Sequence, residues 1–336
     1  MLREITETLL KKQSLGFAEA QATLNHILDG QSNEAATAGF LTALAAKGET
    51  SAEVAGMAKA LRDHAVPVRP QTKLVLDIVG TGGDGQHTFN ISTTAALVAA
   101  GAGVAVAKHG NRAITSKCGS ADVLAELGVK IDAAPDVIAR CIDEANIGFM
   151  FAPNHHPAMK YVQPIRKALG FRTVFNVLGP LANPAAAPMQ VTGVAQPFLL
   201  DVMAEALKLL GLQRAMVVHG DGMDEFSTSG PTDIVELRDG EISRHTLDYS
   251  DYGFAKSRQE DLRGGALADN VAITRGILAG KDKGPRRDVV VFTAAAALMI
   301  CGKAPGLAEG IQLASESIDS GKAAQALEKF IEVSNS

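Results

Sequence analysis

Apolar residues recur at helical spacing through the first 66 positions. Leu2, Ile5 and Leu9 share one face, and Val54, Met57 and Leu61 share another in a segment that opens on a Thr50 to Glu53 capping box. Gly30 and Gly48 stand where helix C-caps belong, so this stretch predicts a unit of four short helices. So small a unit has few large apolar residues to bury and needs another surface, from the rest of the chain or from a second subunit. Pro67 and Pro70 mark its end.

From Leu74 the pattern changes to short apolar runs alternating with helical segments, which predicts a mostly parallel sheet covered by helices. Strands are expected at 74–79, 104–107, 149–152, 191–195 and 215–218, and helices near 91–100, 135–145 and 198–210. Residues 233–237 and 241–245 flank Asp239-Gly240, a strong signal for a two-residue hairpin turn. The last third is Ala-rich and helical, and no repeat or low-complexity tract interrupts it. The expected fold class is α/β, with a helical domain over 1–66 and a larger α/β domain over 73–336.

Composition agrees with two packed units, since 336 residues exceed the roughly 250 to 300 at which one core stops growing. The net charge of -5 gives no overall attraction to nucleic acid or anionic membrane, so an anion site has to be local. Aromatics at 4% leave little material for base-stacking platforms. Cys118, Cys141 and Cys301 are far apart and odd in number, which argues against a disulfide framework or a zinc site and fits a reducing cytosol. The N-terminus lacks the apolar core of a signal peptide, and the longest apolar runs, 95–107 and 289–301, are too short to span a bilayer. A soluble cytoplasmic protein is expected.

Four segments carry candidate chemistry. The first expected strand runs into GTGGDG, residues 80–85, which satisfies the dinucleotide pattern G-x-G-x-x-G. The acid expected after the next strand is absent, however, and Lys108 and His109 stand there instead. No Lys followed by Ser or Thr completes a P-loop either, because Gln86 follows Gly85. An anion site still fits, with Asn90 or Ser92 capping a helix whose amides join those of the glycine loop. A plain tight turn between strand and helix accounts for the same glycines.

The second segment, 108–120, places Lys108, Arg112 and Lys117 just after the next expected strand, so both clusters fall at the sheet edge where ligands bind. Solvated loop cations explain Lys117 well but His109, Gly110 and Asn111 poorly. In the third, Asp221, Asp224 and Glu225 follow an expected strand, and adjacent carboxylates beside a phosphate site suggest magnesium. Taken alone this is an ordinary acidic loop. The fourth, 154–184, holds His155 and His156, badly spaced for one metal and better suited to packing or hydrogen bonding, and Arg166 on an expected helix. Its guanidinium is well shaped for a carboxylate, though a surface arginine reads the same way.

In their order along nearly the whole chain, the N-terminal helices, GTGGDG, NIST, KHGNR, GSADVLAELG, HPAMK, RTVFNVLGPLANP and GMDE resemble the anthranilate phosphoribosyltransferase family of the nucleoside phosphorylase-like fold. The resemblance implies a small helical domain and a large α/β domain with substrates between them, and dimerisation through the helical part. It also implies that the segment at about 156–184 packs on the N-terminal helices. Carried over, phosphoribosyl pyrophosphate would be held by Gly80, Gly83, Asp84, Thr88, Asn90, Ile91, Ser92, Thr93, Lys108, His109, Gly110, Asn111, Arg112, Ser116 and Ser120. Gly80, Asn111, His156 and Arg166 would line the anthranilate path, and Ser92, Asp224 and Glu225 would bind Mg2+. No residue is implied as a general base, since an aromatic amine is neutral at pH 7 and sheds its proton after attack. Cys118 departs from the family's usual Ser, and Ile114-Thr115 is a milder change. Two alternatives share the fold, a pyrimidine nucleoside phosphorylase and a non-catalytic nucleic-acid-binding paralogue. The acidic pair and the HPAMK segment speak against the first, and the acidic pair and the net charge of -5 against the second.

Overall fold

The amphipathic stripes of the first 63 residues close into four helices, each stopped by the signals in its own sequence. In the computed structural model, which describes residues 1–113 and 118–336, α1 spans Leu2–Leu10, α2 Phe17–Leu28, α3 Glu34–Lys47 and α4 Ser51–Asp63. Gly30 and Gly48 take positive φ just beyond α2 and α3, and the Thr50 to Glu53 capping box opens α4. Glu53 also ties the bundle together. Fully buried, it accepts the Leu15 amide at 2.9 Å and pairs with Lys47 Nζ at 2.9 Å, so the start of α2, the end of α3 and the start of α4 meet at one carboxylate.

The remainder alternates as its pattern requires. In order come β1 Leu76–Gly80, α5 Ile91–Gly101, β2 Val106–Gly110, α6 Ser120–Leu127, α7 Pro135–Ala145, β3 Ile147–Phe151, α8 Ala152–His155, α9 Gln163–Leu169 and α10 Phe175–Leu178. Then follow β4 Met189–Gly193, α11 Leu199–Leu209, β5 Arg214–Gly220, β6 Thr232–Arg238, β7 Glu241–Leu247, α12 Leu267–Leu278, α13 Pro285–Ile300, α14 Leu307–Asp319 and α15 Lys322–Ser334. The seven strands form one sheet in the order β3-β2-β1-β4-β5-β6-β7. The first five are parallel, and β6 and β7 continue it as the expected hairpin. Asp239 and Gly240 both carry positive φ, 51° and 84°, the turn whose twist matches paired strands.

Strand positions needed correction. Of the expected strands, 104–107 becomes Val106–Gly110, 149–152 becomes Ile147–Phe151, and 191–195 becomes Met189–Gly193. The first of these shifts matters most, because it moves Lys108 and His109 from a loop into the sheet.

Both sheet faces are buried, as parallel strands require. On β5, Met216 and Val218 point into a core built with α5 and α13, while Ala215 and Val217 point into one built with α11 and the N-terminal helices. Leu200, Met203 and Leu207 of α11 are fully covered there, and burying such a side chain contributes about 1.5–3 kcal/mol. Val162, Ile165, Val174, Phe175 and Leu178 of the 156–184 segment enter the same core as α1 to α4. Backbone bonds from Val66 to His155 and from Val68 to Pro184 tie the linker to that segment. Among the described residues, no helix is long and apolar enough to cross a membrane.

The topology locates the place to look for chemistry. From β1 the chain moves outward to β2 and β3, then returns to the other side of β1 with β4. That reversal opens a crevice at the carboxyl ends of β1 and β4, where open α/β sheets bind ligands.

Candidate active site at the strand-order reversal

The crevice is lined first by the loop after β1. Gly82, Gly83 and Gly85 have φ of 68°, 80° and 76°, a backbone region that strains other residues, so GTGGDG folds this way because side chains are missing. The loop is tied at few points. Thr81 N donates to Gly193 O at 3.0 Å, Gly82 N to Asp224 Oδ2 at 2.6 Å, and Gln86 N to Asp84 Oδ1 at 3.0 Å. Thr88 bridges to Arg263 where the loop leaves for α5.

Of Asn90 and Ser92, the alternative caps for α5, neither serves with its side chain. Asn90 is the N-cap residue by position, but its amide group reaches Cys118 O at 3.4 Å. The helix start is served from across the crevice, with Ser92 N donating to Glu225 Oε1 at 3.2 Å. Ile91 and Thr93 are buried, and the Thr93 hydroxyl has no hydrogen-bond partner among the described residues.

Lys108 and His109 occupy the end of β2 and therefore point to opposite faces. The Lys108 amine, buried, donates to Ile78 O at 2.6 Å and lies 3.5 Å from Ser92 Oγ, at the floor of the crevice. Burial lowers its pKa against the opposing pull of Asp77 and Glu225. His109 turns the other way, its Nδ1 3.2 Å from Gly179 O and its ring edge-on to His156 at 5.1 Å. Burial holds its pKa well below the ordinary value.

The acids complete the crevice. Asp224 and Glu225 lie beyond β5, and burial pushes the Asp224 carboxyl up to about 7, with Asp84 adding to the effect. Burial and the charge of Asp224 also raise Glu225 well above the usual range. Room for Asp224 is made by glycines: a Cβ on Gly80 would collide with its carboxylate, and one on Gly193 with its backbone. Asp221 is not part of this group, since its carboxylate accepts from Ser229 at 2.7 Å. Among the described residues no three His, Cys, Asp or Glu side chains form a metal cage.

The remaining expected residues divide. Gly110 faces Ser120 and Phe149 so closely that a Cβ would clash, while Ser120 Oγ donates to Asn111 O at 3.3 Å. Asn111 Oδ1 accepts the Arg112 amide at 2.7 Å, and the Arg112 guanidinium pairs with Asp122 at 2.7 Å, so it does not face the acids. Ile114, Thr115, Ser116 and Lys117 lie outside the described residues. His156 is buried, and burial beside His155 lowers its pKa to about 4 against the opposing pull of the Ala182 and Leu61 backbone. Arg166 stands on α9 with its guanidinium 5.3 Å from the Phe175 ring centre and 3.5 Å from Gln163 Oε1. Burial lowers its pKa.

Sequence reasoning missed three residues. Asp77, fully buried, accepts the His109 amide at 3.2 Å and Asn183 Nδ2 at 2.7 Å, and burial pushes its pKa to about 6. Asn183 also donates to Ala107 O at 2.8 Å, so these two residues lock the end of β2 beside β1. Arg172 donates to Gly83 O at 3.3 Å. An acid inside an otherwise apolar strand was the available signal for Asp77; nothing local marked the other two.

A left-handed glycine loop, a buried lysine and a pair of carboxylates thus meet at the carboxyl end of β1, an arrangement suited to a phosphorylated ligand. The chain belongs to the glycosyl transferase family, whose helical bundle domain matches residues 3–65 and whose a/b domain matches residues 72–324. Over 99% of its length it is 52% identical to the anthranilate phosphoribosyltransferase of Chloroflexus aggregans, covering 98% of that protein. The crystal structure of anthranilate phosphoribosyltransferase from Thermus thermophilus superposes with a TM-score of 0.94 at 43% identity, covering 99% of both chains. That from Saccharomyces cerevisiae in complex with PRPP and Mg does so with 0.90 at 32% identity, covering 99% of this chain and 98% of that one.

Proposed function

We propose that this chain transfers the phosphoribosyl group of phosphoribosyl pyrophosphate (PRPP) to the amino group of anthranilate, a step of tryptophan biosynthesis. The products are N-(5-phosphoribosyl)anthranilate and diphosphate. The observation that carries the reading is the meeting of the glycine loop, Lys108 and the Asp224-Glu225 pair at the end of β1, in a chain whose full-length relatives bear that name.

The amine nitrogen bonds to the anomeric carbon as the carbon–oxygen bond to diphosphate breaks, and the ammonium proton is lost afterwards. Positive charge grows on the ribose ring and negative charge on the leaving group. The amides of residues 82–85 and of the α5 start would receive the phosphates, and Lys108 would place a cation beneath them. Asp84, Thr88, Asn90, Ser120 and the backbone of 109–111 would surround the sugar and its phosphates. Arg166 would hold the anthranilate carboxylate in a two-pronged bond, with Gly80, Asn111 and the neutral His156 orienting the ring.

The donor set fits Mg2+. Two adjacent carboxylates whose burial disfavours their charge, next to the Ser92 hydroxyl and short of a complete cage, match an ion that takes one or two carboxylates, waters and substrate phosphates. Bound there, Mg2+ would supply charge neutralisation of the departing diphosphate. Asp224, Glu225 and Ser92 would hold it.

The same reading divides the chain into 1–66, joined by about 156–184, and 73–336, with the substrates between. It also makes the protein a cytoplasmic homodimer through the helical unit. Exposed Met1, Leu10, Tyr161 and Phe171 on that unit support an interface, and sedimentation gives the mass. The function itself is tested by mixing protein, PRPP, Mg2+ and anthranilate. Anthranilate fluorescence should fall as diphosphate appears. Phosphorolysis of thymidine without loss of anthranilate would replace this reading with the phosphorylase.

A further inference from the structure

Arg172 is an exposed guanidinium with no carboxylate partner among the described residues, standing beside the glycine loop after β1. Its base is fixed. Thr173 N donates to Asn176 Oδ1 at 2.9 Å, and Val174 and Phe175 are buried in the core shared with α1 to α4. From that base its Nη1 donates to Gly83 O at 3.3 Å. A Cβ on Gly83 would lie 3.3 Å from Nη1 and 3.7 Å from both Cζ and Nη2, so the guanidinium packs against this glycine. Arg166 stacks on Phe175 of the same turn at 5.3 Å. One short anchored stretch thus carries both the cation placed for anthranilate and the cation touching the phosphate loop.

We infer that Arg172 is a positioning residue for the sugar-diphosphate substrate, acting through the Gly83 carbonyl. This rests on the transferase reading. Loop residues 82–85 have almost no side chains with which to hold one shape, and ordering each flexible residue costs about 1–2 kcal/mol when ligand binds. A tie from a packed element settles part of that ordering beforehand. Because a trans peptide sets its C=O and N–H on opposite sides, the bond to Gly83 O also turns the Asp84 amide away from Arg172 and strengthens it as a donor. The unpaired charge adds attraction for diphosphate at the same point.

Arg172→Ala should raise the KM for PRPP about tenfold, the size of one lost charge-assisted bond. Its kcat and its KM for anthranilate should stay within about twofold and its unfolding midpoint should hold, since the side chain is exposed and Val174 and Phe175 keep their own packing. Arg172→Lys keeps the charge but loses the planar fork, so it should recover the PRPP KM partly or not at all. Three results would overturn the inference: an unchanged PRPP KM in Arg172→Ala, an equal rise in both KM values with a lowered unfolding midpoint, or full recovery by lysine. A wild-type protein that transfers nothing would instead overturn the transferase reading, so the two failures are distinct.

Discussion

Asp224 and Glu225 were legible as an acidic pair, but burial gives them their chemistry. A carboxyl whose pKa is about 7 when folded and ordinary when unfolded binds its proton more tightly in the native state. It therefore favours the folded chain below about pH 4, and that advantage is lost as pH rises through about 7. Without divalent cation, Asp224→Asn should gain stability relative to wild type between about pH 5 and about pH 8 in denaturant titrations. A constant difference across that range would contradict the raised pKa. Asp224→Asn combined with Glu225→Gln should raise the Mg2+ needed for half-maximal rate by at least the roughly tenfold typical of losing even an outer metal partner. An unaltered magnesium titration refutes the metal assignment. For Arg166→Ala, initial rates should show the anthranilate KM up about tenfold, and an unchanged KM removes its role. Lys108 was misread as a loop cation because a lysine ends the apolar run of its strand. Its amine is held by Ile78 O of β1 and faces Ser92 of α5, partners distant in sequence and invisible to any local window.

The elements themselves were largely readable. The capping box, the helix over 135–145 and the Asp239-Gly240 hairpin are encoded by residues within a few positions of one another, and all three are present. Strand ends were not, because a parallel strand stops where its neighbour's hydrogen bonds stop, a tertiary fact. The pairing of β1 with β4 runs from Leu76–Met189 to Gly80–Gly193, and both strands end on glycine beneath Asp224. Close approach of the acidic loop depends on those bare positions. Gly193→Ala should displace Asp224, destabilising the protein by about 1–3 kcal/mol and weakening Mg2+ dependence together. Chemical denaturation and a magnesium titration check both, and an alanine variant matching wild type in each would show that the loop does not rest on this strand end.

At the scale of the molecule, an early break at Pro67 and a later return of the chain to the bundle bring a bundle-packed segment against the sheet. The sheet carries the glycine loop, Lys108 and the acids; the segment packed on the bundle carries Arg166 and His156 and reaches the glycine loop through Arg172. Residues 156–184 could be tied to the bundle only through family resemblance, since their apolar positions do not say which surface they meet. Packing of Ile165 and Phe175 with α1 to α4 is what ties that segment to the bundle. The most direct test of that arrangement is a crystal structure with PRPP, Mg2+ and an anthranilate analogue lacking the amine. The account predicts diphosphate on residues 82–85, the analogue's carboxylate on Arg166, and its ring poised so that an amine would stand about 3–3.5 Å from the anomeric carbon. Diphosphate bound away from the glycine loop, or a carboxylate that leaves Arg166 untouched, would contradict it.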